Sequence, residues 1–197
     1  MKIAIVKYNA GNIQSVIYAL NRMGIDPVLT DNAEELTNAD KVIFPGVGEA
    51  STAMSYLKAA QLDKILPELK QPMLGICIGL QLMCAHSEEG DTKCLNIFPQ
   101  EVRKFQAREG FKIPHMGWNN LDNLKSPLFK GVKNHDSFVY YVHSFAAELS
   151  DYTIGSTDYA GITYSAALQK DNFYAVQFHP EKSGVVGEGI LKNFMDI

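Results

Sequence analysis

The first half of the chain alternates short apolar runs with segments of helical periodicity. Over residues 13–23, apolar residues recur every three or four positions, which predicts an amphipathic helix. A short helix is expected before residue 41, and a longer one over residues 51–69 with Pro67 as a break. The apolar runs have the length of buried strands: Ile3–Val6, residues 27–29, Lys41–Phe44 and Met73–Ile76. This alternation favours a parallel sheet covered by helices on both faces, with functional residues at the carboxyl ends of its strands.

The second half has a different pattern, richer in residues typical of strands and hairpins. Strands are expected at residues 102–105, 138–145, 166–168 and 173–178, and a closing helix at residues 189–194. No internal repeat or low-complexity linker divides the chain. The pattern therefore predicts one α/β domain over residues 1–197, with a largely parallel central sheet and an antiparallel second half.

Composition and charge exclude several classes of protein. Of the 197 residues 46% are hydrophobic and 20% are charged, as in ordinary folded proteins rather than disordered or fibrous ones. The net charge of −4 and the absence of a basic cluster argue against nucleic acid or a membrane surface as a partner. The most apolar stretch, residues 73–85, is too short to span a bilayer, and the N-terminus does not resemble a signal peptide. We therefore expect a cytoplasmic protein.

One cysteine has a distinctive setting. The three cysteines, Cys77, Cys84 and Cys94, lack the spacing of a zinc site or a disulfide framework. Cys77 lies in Gly75-Ile76-Cys77-Ile78-Gly79, where a predicted strand runs into a helix. This is the spacing of a nucleophile elbow, with cysteine in place of serine. The flanking glycines would let the strand and the helix pack closely around a strained nucleophile.

The chemistry of an elbow suits a reactive thiol. A helix N-terminus beside the sulfur favours the thiolate, and the backbone N–H of Ile78 can stabilise an oxyanion. The alternative interpretation is a buried structural cysteine between packing glycines, since free cysteine is among the most buried residue types. The elbow alone does not distinguish a reactive thiol from a structural cysteine. A suitably placed base would favour the reactive thiol.

A candidate base lies near the C-terminus. His179 ends a predicted strand and precedes Pro180, which keeps the backbone extended, so that His179 and Glu181 project to the same side. The carboxylate could then orient the imidazole. These residues supply nucleophile, base and orienting acid in the order Cys77, His179 and Glu181. The other histidines, His86, His115, His135 and His143, have weaker sequence contexts.

Taken together, these segments resemble the class I, or triad-type, glutamine amidotransferases. The resemblance runs from the first strand to the last helix, and within the family it is strongest to the glutaminase subunits that serve histidine biosynthesis. It implies the family's three-layer α/β fold. The supporting segments are residues 8–12, 45–48, 75–81, 114–119, 140–145 and 178–183. Of these, Pro-His-Met-Gly-Trp-Asn and His-Pro-Glu-Lys-Ser are much more specific than the elbow.

The resemblance also implies roles for individual residues. Cys77, His179 and Glu181 would be the catalytic triad for L-glutamine hydrolysis, without a metal or a cofactor. The loop Gly46, Val47 and Gly48 would supply an oxyanion donor in addition to Ile78. Residues similar to the family's glutamine-binding positions are Gln81, His143, Ser144 and Phe145.

A glutaminase of this kind is useful when a partner consumes its ammonia. The resemblance implies a heterodimer with a (β/α)₈-barrel cyclase subunit. The residues that match interface segments of the family are Asn12, Trp118, Tyr140 and Lys182. As alternatives to this role, Trp118 could be a core aromatic residue and Lys182 an ordinary surface charge.

Other functions are also compatible with parts of the sequence. A paralogous subunit could deliver ammonia to a surface-sugar pathway. A cysteine-elbow hydrolase of the DJ-1 type would share the α/β scaffold, although that class has a histidine directly after the cysteine, where this chain has Ile78. A flavodoxin-like binding module could hold a phosphate at residues 9–12, but the G-x-G-x-x-G spacing is missing.

Overall fold

The computed structural model describes residues 1–8 and 13–197. The predicted interface residue Asn12 and the turn at residues 9–12 lie outside these ranges. The α-helices are α1 (Ile13–Arg22), α2 (Ala33–Thr37), α3 (Ala50–Ala59), α4 (Leu62–Ile65), α5 (Ile78–Met83) and α6 (Gly184–Asp196). The strands are β1 (Ile3–Val6), β2 (Val28–Thr30), β3 (Lys41–Phe44), β4 (Met73–Ile76), β5 (His86–Ser87), β6 (Thr92–Lys93), β7 (Glu101–Lys104), β8 (His115–Asn120), β9 (Phe138–His143), β10 (Phe145–Ala147), β11 (Thr153–Tyr159), β12 (Ile162–Lys170) and β13 (Phe173–Val176).

A seven-stranded mixed sheet forms the centre of the fold, in the order β11-β12-β13-β4-β3-β1-β2. Strands β13, β4, β3, β1 and β2 pair in parallel, and β12 and β11 continue the sheet antiparallel. The predicted combination of a parallel first half with antiparallel later strands is confirmed. In the register of β13 with β4, Val176 pairs with Ile76. The residues that follow these two strands therefore leave the sheet side by side.

Hydrophobic residues pack on both faces of this sheet. Along β1, Ala4 and Val6 point into one core cluster and Ile5 into the other, as the two-residue period of a strand requires. The first cluster includes Met54 of α3, and the second includes Leu20 of α1. The three-layer arrangement expected from the resemblance is thereby present.

Two smaller sheets complete the described part of the fold. One has the order β10-β7-β5-β6, and the other is the hairpin of β8 and β9. The predicted strand over residues 138–145 is in fact two strands, because the chain changes partner at Ser144. Before Ser144, β9 pairs with β8, and after it β10 pairs with β7.

Three other details differ from the sequence interpretation. The predicted helix over residues 51–69 ends at Ala59, since Gln61 adopts a left-handed conformation with φ of 57°, well before Pro67. Strand β11 has no clear alternation of apolar and polar residues. Gly155, Ser156 and Thr157 are consecutive and all buried, so both faces of the strand are covered there. In β8 the alternation of apolar and polar residues typical of a strand is interrupted by Gly117, whose φ is 135°, and by two asparagines.

Candidate active site

Cys77 lies at a sharp turn between β4 and α5. Its backbone has φ of 55° and ψ of −107°, a conformation that L-residues rarely adopt and that other functional sites also contain. The turn is held by a hydrogen bond of 2.8 Å from Cys77 N–H to the carbonyl of Val176 on the neighbouring strand. The predicted elbow is thus formed, and its backbone is constrained by the central sheet.

The two glycines of the elbow are required by close contacts. A Cβ atom on Gly79 would lie 1.9 Å from the carbonyl oxygen of Phe44, and one on Gly75 would lie 2.5 Å from Met83 Sδ. Neither position has room for a side chain. This confirms the mechanical explanation of the G-x-Cys-x-G spacing, in which α5 packs directly against β3 and β4.

His179 and Glu181 form a buried pair. Nδ1 of His179 lies 2.8 Å from Oε1 of Glu181, and both side chains are almost completely inaccessible to solvent. Because the carboxylate accepts, Nδ1 carries the proton and Nε2 is the atom available for chemistry. Within the described residues, Nε2 has no hydrogen-bond partner. The predicted orientation of the imidazole by Glu181 is present.

The electrostatics of this pair favour a charged imidazole. Burial alone would lower the pKa of His179, but its interactions with Cys77 and Glu181 outweigh that effect and raise the pKa to about 10. The other two thiols are in different surroundings. Burial raises the pKa of Cys94 to about 11 and that of Cys84 further still, so both remain protonated at neutral pH.

A cavity of about 270 Å³ opens beside the nucleophile. Its walls contain most of the residues proposed above for oxyanion stabilisation and glutamine binding: Val47, Gly48, Ile78, Gln81, His143, Ser144 and Phe145. The change of strand partner at Ser144 brings the last three to the cavity. Gly46 does not line this cavity but a small neighbouring gap, together with His179 and Glu181. Three distant parts of the sequence therefore meet at Cys77.

The side chains of Gln81 and His143 are fixed by bonds within the protein. Gln81 Nε2 donates to the carbonyl oxygen of Phe145 at 2.9 Å, and His143 Nδ1 donates to the same oxygen at 2.8 Å. His143 Nε2 lies 3.3 Å from the Tyr164 hydroxyl. Both ring nitrogens of His143 are therefore engaged in the wall of the cavity.

Two further residues at the site had no role in the sequence analysis. Glu89 lines the cavity, and its Oε2 accepts a 2.8 Å hydrogen bond from the backbone N–H of Ala50. Gln177 is completely buried, with its Nε2 3.8 Å from Cys77 Sγ. The position of Gln177 two residues before the candidate base was visible in the sequence. For Glu89 no sequence signal was available, because it lies in a polar loop.

The predicted interface residues in the described ranges gather on one surface. Trp118 of β8 and Tyr140 of β9 are cross-strand partners with ring centroids 6.1 Å apart. Lys182 Nζ lies 5.9 Å from the centre of the Tyr140 ring. The side chain of Trp118 is 57% exposed, which is incompatible with the alternative of a core aromatic residue.

The described ranges lack a metal-binding cluster and a membrane-spanning helix. No group of three or more His, Cys, Asp or Glu side chains there is arranged to hold a metal ion. No helix there has the length and apolar character needed to cross a membrane.

A sequence profile of class I glutamine amidotransferases matches residues 4–197 of this chain. The chain belongs to the class I glutamine amidotransferase family. This match covers both the Cys77 elbow and the His179–Glu181 pair, so the amidotransferase interpretation replaces the DJ-1-type and flavodoxin-like alternatives.

Individual members of the amidotransferase family match over the full length. A protein of Bacteroides thetaiotaomicron named imidazole glycerol phosphate synthase subunit HisH is 57% identical, with 100% of both chains covered. A protein of the same name from Idiomarina loihiensis is 44% identical, with 100% of this chain and 98% of the relative covered. A chain in the structure of PurLQS from Thermotoga maritima shares the fold, with a TM-score of 0.67 at 15% identity, covering 99% of this chain and 97% of that chain.

Proposed function

We propose that this protein is the glutaminase subunit of an imidazole glycerol phosphate synthase. It hydrolyses L-glutamine to glutamate and ammonia in a single domain over residues 1–197, and it acts in the cytoplasm. The observation that carries the proposal is the cavity that Cys77 lines, close to the buried His179–Glu181 pair. Relatives at 57% and 44% identity named HisH favour histidine biosynthesis over a surface-sugar pathway.

The first half of the reaction forms a covalent intermediate. The Cys77 thiolate attacks the side-chain amide carbon of glutamine, and a C–S bond forms. His179, charged below about pH 10, gives its Nε2 proton to the leaving nitrogen as the C–N bond breaks. Ammonia departs, and a glutamyl thioester remains on Cys77.

The second half regenerates the enzyme. Neutral His179 takes a proton from water, whose oxygen attacks the thioester carbon, and glutamate leaves as the C–S bond breaks. Throughout the cycle Glu181 holds the Nδ1–H tautomer through the 2.8 Å bond and stabilises the imidazolium.

Both tetrahedral intermediates need donors for the oxyanion. The Ile78 N–H is well placed because it directly follows the nucleophile at the start of α5. The Val47–Gly48 peptide lies in the same cavity wall and can supply a second donor. Gly48 has φ of 138°, a conformation that glycine adopts without steric cost, and glycine at this position allows the peptide to reorient when the site is occupied.

Glu89 is the residue we assign to the ammonium group of glutamine. Its carboxylate lines the same cavity as Cys77, and a free amino acid carries a positive charge at the end opposite its side chain. Replacing Glu89 by Gln should raise KM for glutamine about tenfold, with kcat changed much less, because the ammonium is remote from the reacting carbon. Steady-state glutamate production over a range of glutamine concentrations measures both constants.

Glu49 provides the matched control for Glu89. It lies in the adjacent segment, its Oε2 accepts from the Thr52 hydroxyl at 2.9 Å, and it is not part of the cavity wall. Glu49→Gln should change KM much less than Glu89→Gln does. An equal KM for Glu89→Gln and the unmodified protein would show that Glu89 does not bind the ammonium.

The partner that consumes the ammonia is proposed to be a (β/α)₈-barrel cyclase of the HisF type, in a heterodimer. The proposed contact surface contains Trp118, Tyr140 and Lys182, together with Asn12 outside the described ranges. Met116 and Phe138 are exposed apolar residues on the same face of the β8–β9 hairpin, so the surface has the aromatic and apolar character common at the centre of interfaces. A shielded junction is needed because released ammonia would be protonated in water.

Binding of the cyclase is expected to activate the glutaminase. The Pro45–Gly48 loop lies beside His179 and Glu181, and Lys182, in the same segment as these two, lies against Tyr140 of the proposed surface. Completion of one oxyanion donor is worth about 10²–10³ in rate, so reorientation of a single peptide would raise turnover by that factor. Glutamate production should be measured for the subunit alone, with the cyclase, and with the cyclase and its nucleotide substrate. Equal rates in the three conditions would contradict this coupling.

A further inference from the structure

A chain of buried hydrogen bonds begins at the sulfur of Cys77. Gln177 Nε2 lies 3.8 Å from Sγ, within the range of a hydrogen bond to sulfur. At its other end, Gln177 Oε1 lies 3.1 Å from Gln81 Nε2, which also contacts Phe145 O at 2.9 Å. The pairing of β13 with β4 determines this contact, because it places the residues after the two strands next to each other.

The orientation of the Gln177 amide follows from its partners. A carbonyl oxygen only accepts, so Gln81 must turn its NH₂ group toward Phe145. The same NH₂ group faces Gln177, which therefore presents its oxygen to Gln81. The NH₂ group of Gln177 is then the end directed at Cys77, and it acts as a donor to sulfur.

A second branch holds the Phe145 carbonyl in place. His143 Nδ1 donates to this oxygen at 2.8 Å, and burial lowers the pKa of His143 to about 3, so the ring is neutral with a bare Nε2. That nitrogen accepts from the Tyr164 hydroxyl at 3.3 Å. Tyr164 in turn lies 3.2 Å from His115 Nδ1. The Phe145 carbonyl, which accepts the hydrogen bond from Gln81, is therefore also held in position by His143.

We propose that the side-chain amide of Gln177 donates to Cys77 and stabilises the thiolate that attacks glutamine. Gln81 and the Phe145 carbonyl act as positioning groups for this donor. As a thiol, Cys77 can donate to Val142 O at 3.9 Å, but a thiolate has no proton to give and depends on donors such as Gln177. The proposal rests on the glutaminase function and adds a residue that contacts the reacting sulfur.

The test is the pH dependence of Cys77 alkylation by iodoacetamide. It is performed on the full chain with Cys84→Ala and Cys94→Ala, so that only Cys77 reacts. Gln177→Met keeps the length of the side chain and removes the donor. The alkylation rate at pH 7 should fall about three- to tenfold, the effect of losing one hydrogen bond, and the midpoint of the profile should move to higher pH.

Gln100→Met is the matched control. Gln100 is also a buried glutamine, but its Nε2 donates to Ser150 and it does not line the cavity. The alkylation profile of this variant should not change. If Gln177→Met does not fold, Gln177→Asn keeps the amide but withdraws it by one methylene, and the same slower alkylation is expected.

The outcomes separate this inference from the proposed function. An unchanged alkylation profile in the folded Gln177 variants, with normal glutamate production by the unmodified protein, overturns the role of Gln177 alone. An unmodified protein that makes no glutamate, even with its cyclase, overturns the glutaminase function. In that case a shifted profile in Gln177→Met still supports the donor to sulfur.

Discussion

Cys77→Ala should abolish glutamine-dependent synthesis, with a loss on the order of 10⁴-fold or more, because no thioester can form without the nucleophile. The complex with the cyclase should still use added ammonium salt, since that reaction bypasses Cys77. Product formation by the same complex should be measured with glutamine, where we expect the loss, and with ammonium salt, where we expect activity to be retained.

The other two cysteines are internal controls for Cys77. Cys84 and Cys94 are buried, and their raised pKa values keep them as thiols at neutral pH. Cys84→Ala and Cys94→Ala should therefore retain activity. Full glutamine-dependent turnover by Cys77→Ala would refute the assignment of the nucleophile.

His179→Asn should reduce glutamate production about 10²–10⁴-fold, because both the protonation of the leaving nitrogen and the activation of water depend on this ring. In the unmodified protein, activity should fall as the pH rises through about 10, where His179 loses the proton it must donate.

Glu181→Gln should reduce glutamate production less than His179→Asn does. Glu181→Gln should also move the alkaline limb of the pH–rate profile, the fall in activity at high pH, to lower pH. The reason is that the carboxylate that stabilises the imidazolium is gone.

The pH–rate profiles of glutamate production distinguish these roles. The position of the alkaline limb, measured for the unmodified protein and for Glu181→Gln, reports on His179 directly. If the limb stayed at the same pH in both, Glu181 would not influence the imidazole and the pair would have only a packing role.

Local patterns in the sequence were sufficient for the strands of the parallel sheet, for the Cys77 elbow and for the His179–Glu181 pair. Lys41–Phe44 and Met73–Ile76 have the bounds predicted from their apolar runs, because both strands are buried on two faces. The elbow was visible because contacts as close as the one between Gly79 and Phe44 permit only glycine. Each of these features can be recognised within a few neighbouring residues of the sequence, even where its cause is a contact with a distant segment.

The parts that escaped prediction depend on contacts between distant segments. Glu89 reaches the cavity through a hydrogen bond to Ala50, 39 residues earlier, and Gln177 contacts Cys77 across 100 residues. Likewise, nothing in the residues around Ser144 shows that the strand changes partner there. Such features require the three-dimensional arrangement.

The hairpin of β8 and β9 has consequences for how this sequence can vary. Even-numbered residues such as Trp118 and Tyr140 face outward, whereas odd-numbered residues such as His115, Tyr141 and His143 are buried. If this hairpin forms the proposed contact surface, neighbouring residues along each strand are subject to different constraints. The outward residues would be constrained by the partner subunit, and the buried residues by the packing behind the cavity. In that case exchanging only the alternate, outward residues would change the partner and leave the packing untouched.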